Sequence, residues 1–169
     1  DAVGYESDAL IEAKKLAKTE QTSGAYGSTG KGKKGLDIAE IVRVIAGSDE
    51  GATTTPHIAV LPAEGSIAME SGGALSSGGI TASALSKTLK RLKGDDNIKA
   101  VVLRIDSPGG SALASDLIWH DLRELQKKKP LVVSVGGMAA SGGYYMACAG
   151  DRIFAEPTSI VGSIGVFGG

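Results

Sequence analysis

The sequence contains one cysteine, Cys148, so it can build neither an internal disulfide framework nor a multi-cysteine zinc site. Its two histidines, His57 and His120, leave little for a metal site of any kind. Positive charge is not in excess: 18 Lys and Arg stand against 19 Asp and Glu, for a net charge of −1. The basic face that nucleic acid requires is therefore not expected. Aromatic residues make up only 4%, which points to a core of aliphatic and small side chains. No basic-then-apolar stretch opens the sequence, so no signal peptide is expected in it. Residues 130–150 carry no charge and match the ~20 residues a membrane helix needs. That run, however, contains Gly136, Gly137, Gly142 and Gly143 with Ser134 and Ser141, and it begins as a buried strand, Leu131-Val132-Val133-Ser134-Val135, so a membrane span is not expected.

A 42% hydrophobic content is enough for a real core and excludes a wholly disordered chain. The 169 residues suit one domain plus linker. The 25 glycines are about twice the ordinary ~7% share, and they cluster in pairs without a collagen period.

Two regions differ in character. In residues 1–56, the spacing of Leu10, Ala13, Leu16 and Ala17 predicts a helix over 6–18. A Gly/Ser/Thr/Lys-rich linker is expected over 22–35, and a second short helix over 36–45, stopped by Gly47. In residues 57–169 the pattern is that of a packed domain. Strands are expected over 58–61, 66–69, 99–105, 131–135 and 152–155, with a loop over 71–79. Helices are expected over 81–93, 111–128 and 143–149. Leu113, Leu117, Ile118, Leu122 and Leu125 form the apolar stripe of the middle helix. Strand and helix alternate from about residue 99, which predicts α/β architecture with a mostly parallel sheet. Function in such sheets gathers at the carboxyl ends of the strands. Two glycine-rich turns are expected there, at 106–110 and 136–143.

The stretch AYGSTGKG over 25–32 imitates a phosphate-binding loop but has Ala25 and Gly32 at key positions and no preceding strand, so a basic linker is the better reading. Asp106-Ser107-Pro108-Gly109-Gly110 joins an apolar strand to the best helix; its exposed N–H groups could bind an oxyanion, or it could be an ordinary turn. In Gly136-Gly137-Met138-Ala139-Ala140-Ser141-Gly142-Gly143, Ser141 stands between a buried strand and a helix. A nucleophile beside the Gly142 N–H is one reading and a helix cap is the other. A serine nucleophile needs a base. Neither histidine falls in a glycine-rich turn, and every lysine is expected to be solvated. Cys148 is expected to be buried in a helix.

Three blocks carry a resemblance. They are Val101-Val102-Leu103-Arg104-Ile105-Asp106-Ser107-Pro108-Gly109-Gly110-Ser111, the segment from Gly136 to Tyr145, and the segment AEPTSIVGSIGV over 155–166. In this order they resemble the signal peptide peptidase A (protease IV) family of serine–lysine peptidases, over roughly residues 58–169. The resemblance implies a Clp/crotonase-like ββα superhelix. It also implies Ser141 as nucleophile, Gly110 and Gly142 as oxyanion donors, and Gly109, Gly137 and Met138 as substrate-binding positions. Related Clp proteases have a histidine after the proline of the third block; here Thr158 follows Pro157, against a Ser-His-Asp triad. The start, Asp1-Ala2-Val3-Gly4-Tyr5, resembles the closing segment of a preceding repeat. The chain then reads as the middle of a long, two-repeat member, with the base lysine outside it. The family implies cleaved signal peptides as substrates, a homo-oligomer, no cofactor, and membrane association through other regions. Its active site lies outside the cytoplasm or at a plastid thylakoid. Two other readings remain open: a crotonase-like acyl-thioester enzyme using Asp106 or Glu156 as base, and a non-catalytic oligomerising fragment.

Overall fold

The computed structural model describes residues 2–3, 6–19, 55–70 and 79–165. The linker, the second helix, the phosphate-loop imitation and nearly all of the 71–79 loop lie outside the described residues.

The elements run β1 (Ala2–Val3), α1 (Glu6–Ala17), β2 (His57–Glu64), β3 (Ile67–Ala68), β4 (Ile80–Thr81) and α2 (Ala82–Gly94). They continue with β5 (Ile98–Ser107), α3 (Ala112–Gln126), β6 (Leu131–Ala140), α4 (Gly142–Ala147), β7 (Arg152–Ala155) and β8 (Ile160–Gly162). The main sheet has the order β1-β7-β6-β5-β2, with β8 paired to the far end of β6, and every pairing is parallel. β3 and β4 form a separate two-stranded sheet. The long strands β2 and β5 lead into helices through a short offset strand or bridge, the expected ββα arrangement, while β6 leads directly to α4.

The central strands alternate between two buried faces, as parallel sheets covered by helices do. Val101, Leu103 and Ile105 of β5 point into the larger core with Leu89, Leu92, Ile118, Leu122, Leu125 and Met146. Ala100 and Val102 point the other way, toward Ile58, Val132 and Ala13 of α1. β1 and α1 thus join the same sheet as residues 57–165: β1 extends the edge at Phe154 and Ala155, and α1 covers the second face.

The stripe expected on α3 is only half buried. Ile118, Leu122 and Leu125 enter the core, while Leu113 and Leu117 are exposed, because the helix also buries Ala114 and Ser115 toward α4. The Ser111 side chain caps α3 by accepting from the Ala114 N–H at 3.3 Å.

Two boundaries differ in a way that shapes the site. The expected turn over 136–143 does not exist as a turn, since β6 continues through Gly136 and Gly137 to Ala140. Pairing with β5 steps from Ile105↔Val135 to Ser107↔Ala139, so β6 bulges between these pairs. The Asp106 carboxylate accepts from the Gly137 N–H at 3.2 Å, and Ser159 Oγ donates to the Gly136 carbonyl at 2.6 Å. A Cβ on Gly136 would stand 3.1 Å from Asp106 Oδ2, so the carboxylate would have to shift slightly to admit one, whereas on Gly137 it would meet the same oxygen at an ordinary 3.5 Å. β8 was not expected. It pairs Ile160, Val161 and Gly162 with Met138, Ala139 and Ala140, which carries the end of β6 straight to Ser141.

Candidate active site

Ser141 joins β6 to α4 with φ 50° and ψ −116°, backbone angles that side-chain-bearing residues seldom adopt. Three contacts hold it there. Its N–H donates to the Gly162 carbonyl at 2.8 Å, its carbonyl accepts from the Tyr145 N–H at 2.9 Å, and Gly109 lies against it. A Cβ on Gly109 would stand 2.8 Å from Ser141 Cβ and 2.7 Å from the Gly142 nitrogen, so only glycine lets the two loops meet.

Ser141 occupies the N-cap position of α4, yet its side chain makes no capping hydrogen bond. The helix-cap reading therefore fails. The hydroxyl faces a cavity of about 590 Å³ and is bonded to no described residue. The strain of the turn presents the hydroxyl, as in a nucleophile elbow, although G-x-S-x-G is absent.

Gly110 and Gly142 line the same cavity. Gly110 is bridged to Ile67, whose N–H donates to the Gly109 carbonyl and whose carbonyl accepts from the Ser111 N–H, both at 2.9 Å. These bonds use the groups flanking Gly110 and leave its own N–H without a partner among the described residues. Gly142 is the first residue of α4, so its N–H has no acceptor within the helix. Two uncommitted N–H groups and a strained serine thus share one cavity.

The structure brings together Ser141, Gly110 and Gly142, with Gly109 directly behind them. It does not bring Gly137 or Met138 to the cavity wall. Gly137 belongs to the bulge held by Asp106, and Met138 pairs with Ile160 of β8. The acids proposed for a thioester enzyme are also engaged elsewhere: Asp106 at that bulge, and Glu156 with Arg104 at 3.6 Å.

No lysine or histidine among the described residues lines the cavity. His57 sits at the opposite end of the sheet, with Nδ1 2.9 Å from the Thr55 carbonyl, and His120 is exposed on α3. The expectation that every lysine is solvated is corrected at Lys129, which is buried and donates to the Asp95 carbonyl. Burial lowers its pKa despite the nearby Asp95 and Asp96. It precedes β6, whose far end leads to Ser141, roughly 30 Å away at ~3.3 Å per residue, and so cannot serve that serine.

Several wall residues had no site role in the sequence reading. Ser115, fully buried on α3, donates to the Ser111 carbonyl at 2.8 Å and abuts Gly142. Tyr145 donates to Asp116 Oδ1 at 2.7 Å and stacks on Trp119, with ring centres 5.7 Å apart. That bond to Asp116 raises the phenol pKa. Cys148, expected in the core, is exposed on the cavity wall. The spacing from Ser141 is the signal that could have found Tyr145, since residues four apart on a helix share a face.

The fold and site define an α/β protein with a parallel, helix-covered sheet and a strained serine at the end of a central strand, flanked by two free amides. Residues 123–169 match the model of Peptidase family S49. The chain is 44% identical over 111 residues to the chloroplast serine protease SPPA of Arabidopsis thaliana, covering 65% of this chain and 16% of that one. It is 44% identical over 111 residues to Protease 4 of Haemophilus influenzae, covering 65% of this chain and 18% of that one. The resemblance to the signal peptide peptidase A (protease IV) family is thereby borne out. The chain spans less than a fifth of either relative's length. Among solved structures, a ClpP1 variant from Listeria monocytogenes matches with a TM-score of 0.49 and 24% identity, covering 59% of this chain and 52% of that one.

Proposed function

We propose that this chain carries the nucleophile and oxyanion hole of a serine peptidase acting on membrane-derived peptides such as cleaved signal peptides. Ser141 Oγ attacks the scissile carbonyl carbon, its proton passes to a base, and the carbonyl oxygen takes the negative charge. The Gly110 and Gly142 N–H groups receive that oxyanion, and collapse of the tetrahedral adduct expels the amine and leaves an acyl-enzyme. Water then releases the acyl group from Ser141. The base in this reading is a lysine from outside the chain; no lysine or histidine among the described residues lines the cavity.

The observation that carries the reading is the strained Ser141, which caps nothing and faces a cavity shared with two uncommitted amides. The family match and the protease names of both relatives support it. Membrane association in a bacterial envelope or a plastid, and a homo-oligomer, belong to the same proposal. Among the described residues no helix is long and apolar enough to cross a membrane.

The test is fluorophosphonate labelling of the full-length protein followed by peptide mapping. Label on Ser141, lost together with peptide cleavage in Ser141→Ala, is the expected result. Cleavage retained by Ser141→Ala would refute the assignment.

A further inference from the structure

The cavity is walled on several sides by small residues, including Gly110, Ala112, Ser115 and Gly142. Its free volume is therefore set by the few bulky side chains that reach it. Tyr145 is one of these, and it is held at three points. Its backbone N–H is bonded to the Ser141 carbonyl, its ring is stacked on Trp119 at an interplanar angle of 16°, and its hydroxyl is bonded to Asp116. Asp116 and Trp119 lie three residues apart on α3, on one side of that helix. The phenol is thus anchored at its root and at its tip, while 39% of the residue stays open to solvent. An exposed aromatic fixed in this way cannot swing aside to admit a larger group. Its open face offers apolar contact at little further conformational cost.

We propose that Tyr145, clamped by Asp116 and Trp119, is a specificity-determining wall of the Ser141 cavity. It packs against the apolar side chain of the residue whose carbonyl Ser141 attacks and limits that side chain's size. Asp116 and Trp119 are positioning residues that act through Tyr145. The inference rests on the peptidase reading above.

The experiment measures the rate of Ser141 modification in full-length protein by three aryl phosphonates, carrying Ala, Leu or Phe side chains next to phosphorus. A small fluorophosphonate serves as the control. Removing the ring in Tyr145→Ala is expected to raise the Phe-to-Ala rate ratio by about tenfold or more, the scale at which apolar pockets discriminate by size. Tyr145→Phe keeps the ring and is expected to move the ratio less than about threefold; Asp116→Asn, which weakens the clamp, falls between. Tyr145→Leu replaces Tyr145→Ala if the latter does not fold, with the same direction expected. An unchanged ratio in the ring-deleted variant, with Ser141 still labelled by the control probe, overturns this inference alone. Failure of the control probe on wild-type Ser141 overturns the peptidase reading and this inference with it.

Discussion

Gly142→Ala tests whether the close approach of α3 and α4 is what places the oxyanion donor. The Gly142 backbone is compatible with alanine, so any effect comes from contact rather than from conformation. A Cβ there would stand 2.2 Å from Ser115 Oγ, 3.0 Å from Ile67 Cδ1 and 3.2 Å from Ser115 Cβ. Ordinary contact begins near 3.4 Å, so Ser115 and the start of α4 must separate by about 1.2 Å. The Ser115 hydroxyl resists, because it is fully buried and bonded to the Ser111 carbonyl. Overpacking of this kind costs about 1–3 kcal/mol, and a misplacement of about 1 Å can cost roughly 10²-fold in rate. Gly142→Ala is therefore expected to slow fluorophosphonate labelling of Ser141 in the full-length protein by about 10²-fold. Ser115→Ala removes the clashing oxygen. It leaves the Ser111 carbonyl bonded to the Ser115 N–H at 3.0 Å, so alone it should cost only about 1 kcal/mol of stability. The double variant should recover at least about tenfold of the lost rate, a coupling that double-mutant analysis isolates. Full activity in Gly142→Ala, or no recovery in the double variant, would refute the packing argument.

Two further outcomes follow from the cavity wall. Cys148 is exposed there, so maleimide treatment should add one mass equivalent and slow Ser141 labelling by about tenfold or more, with Cys148→Ser protected. A confirmed adduct with an unchanged labelling rate would show that the thiol points elsewhere. The Tyr145 phenol should titrate above the ordinary value of 10.0, because the hydrogen bond to Asp116 favours its neutral form. Since the folded-state pKa is the higher one, its contribution to stability is complete below the unfolded pKa and is lost as pH rises through the folded value. Difference absorbance of wild type and Asp116→Asn across alkaline pH checks this; coincident phenol titrations would contradict it.

The structural reading of the chain divides along physical lines. Short-range chemistry was legible in the sequence. The run Val101-Val102-Leu103 marked a strand, and the spacing of Ile118, Leu122 and Leu125 marked a helix stripe. Glycine pairs marked where backbones meet, and Gly109 and Gly110 do press against Ser141, Gly142 and Ile67. Ser141 stood out as a hydroxyl among small residues between strand and helix, a place that suits either a nucleophile or a helix cap.

Other features depend on partners distant in sequence, which no local pattern encodes. Gly136 and Gly137 read as a turn, but Asp106 and Ser159 hold them as a bulge inside a strand that β8 extends. Leu113 and Leu117 fit the periodicity, yet packing against α4 selects Ala114 and Ser115 for burial instead. Lys129 belongs to a charged run and is nevertheless buried, because its amine reaches the Asp95 carbonyl after α2. Cys148 follows an apolar helix, but α4 ends there and turns the thiol to the cavity. The sequence alone determined the strand–helix order, which rests on periodicity over a few positions, and it marked Ser141 as a candidate nucleophile through the resemblance that three motif blocks carry. Only the tertiary structure decided that Ser141 is strained rather than capping, that two free amides share its cavity, and that Tyr145 walls it. Each of these depends on where separate elements meet once both faces of the sheet are covered.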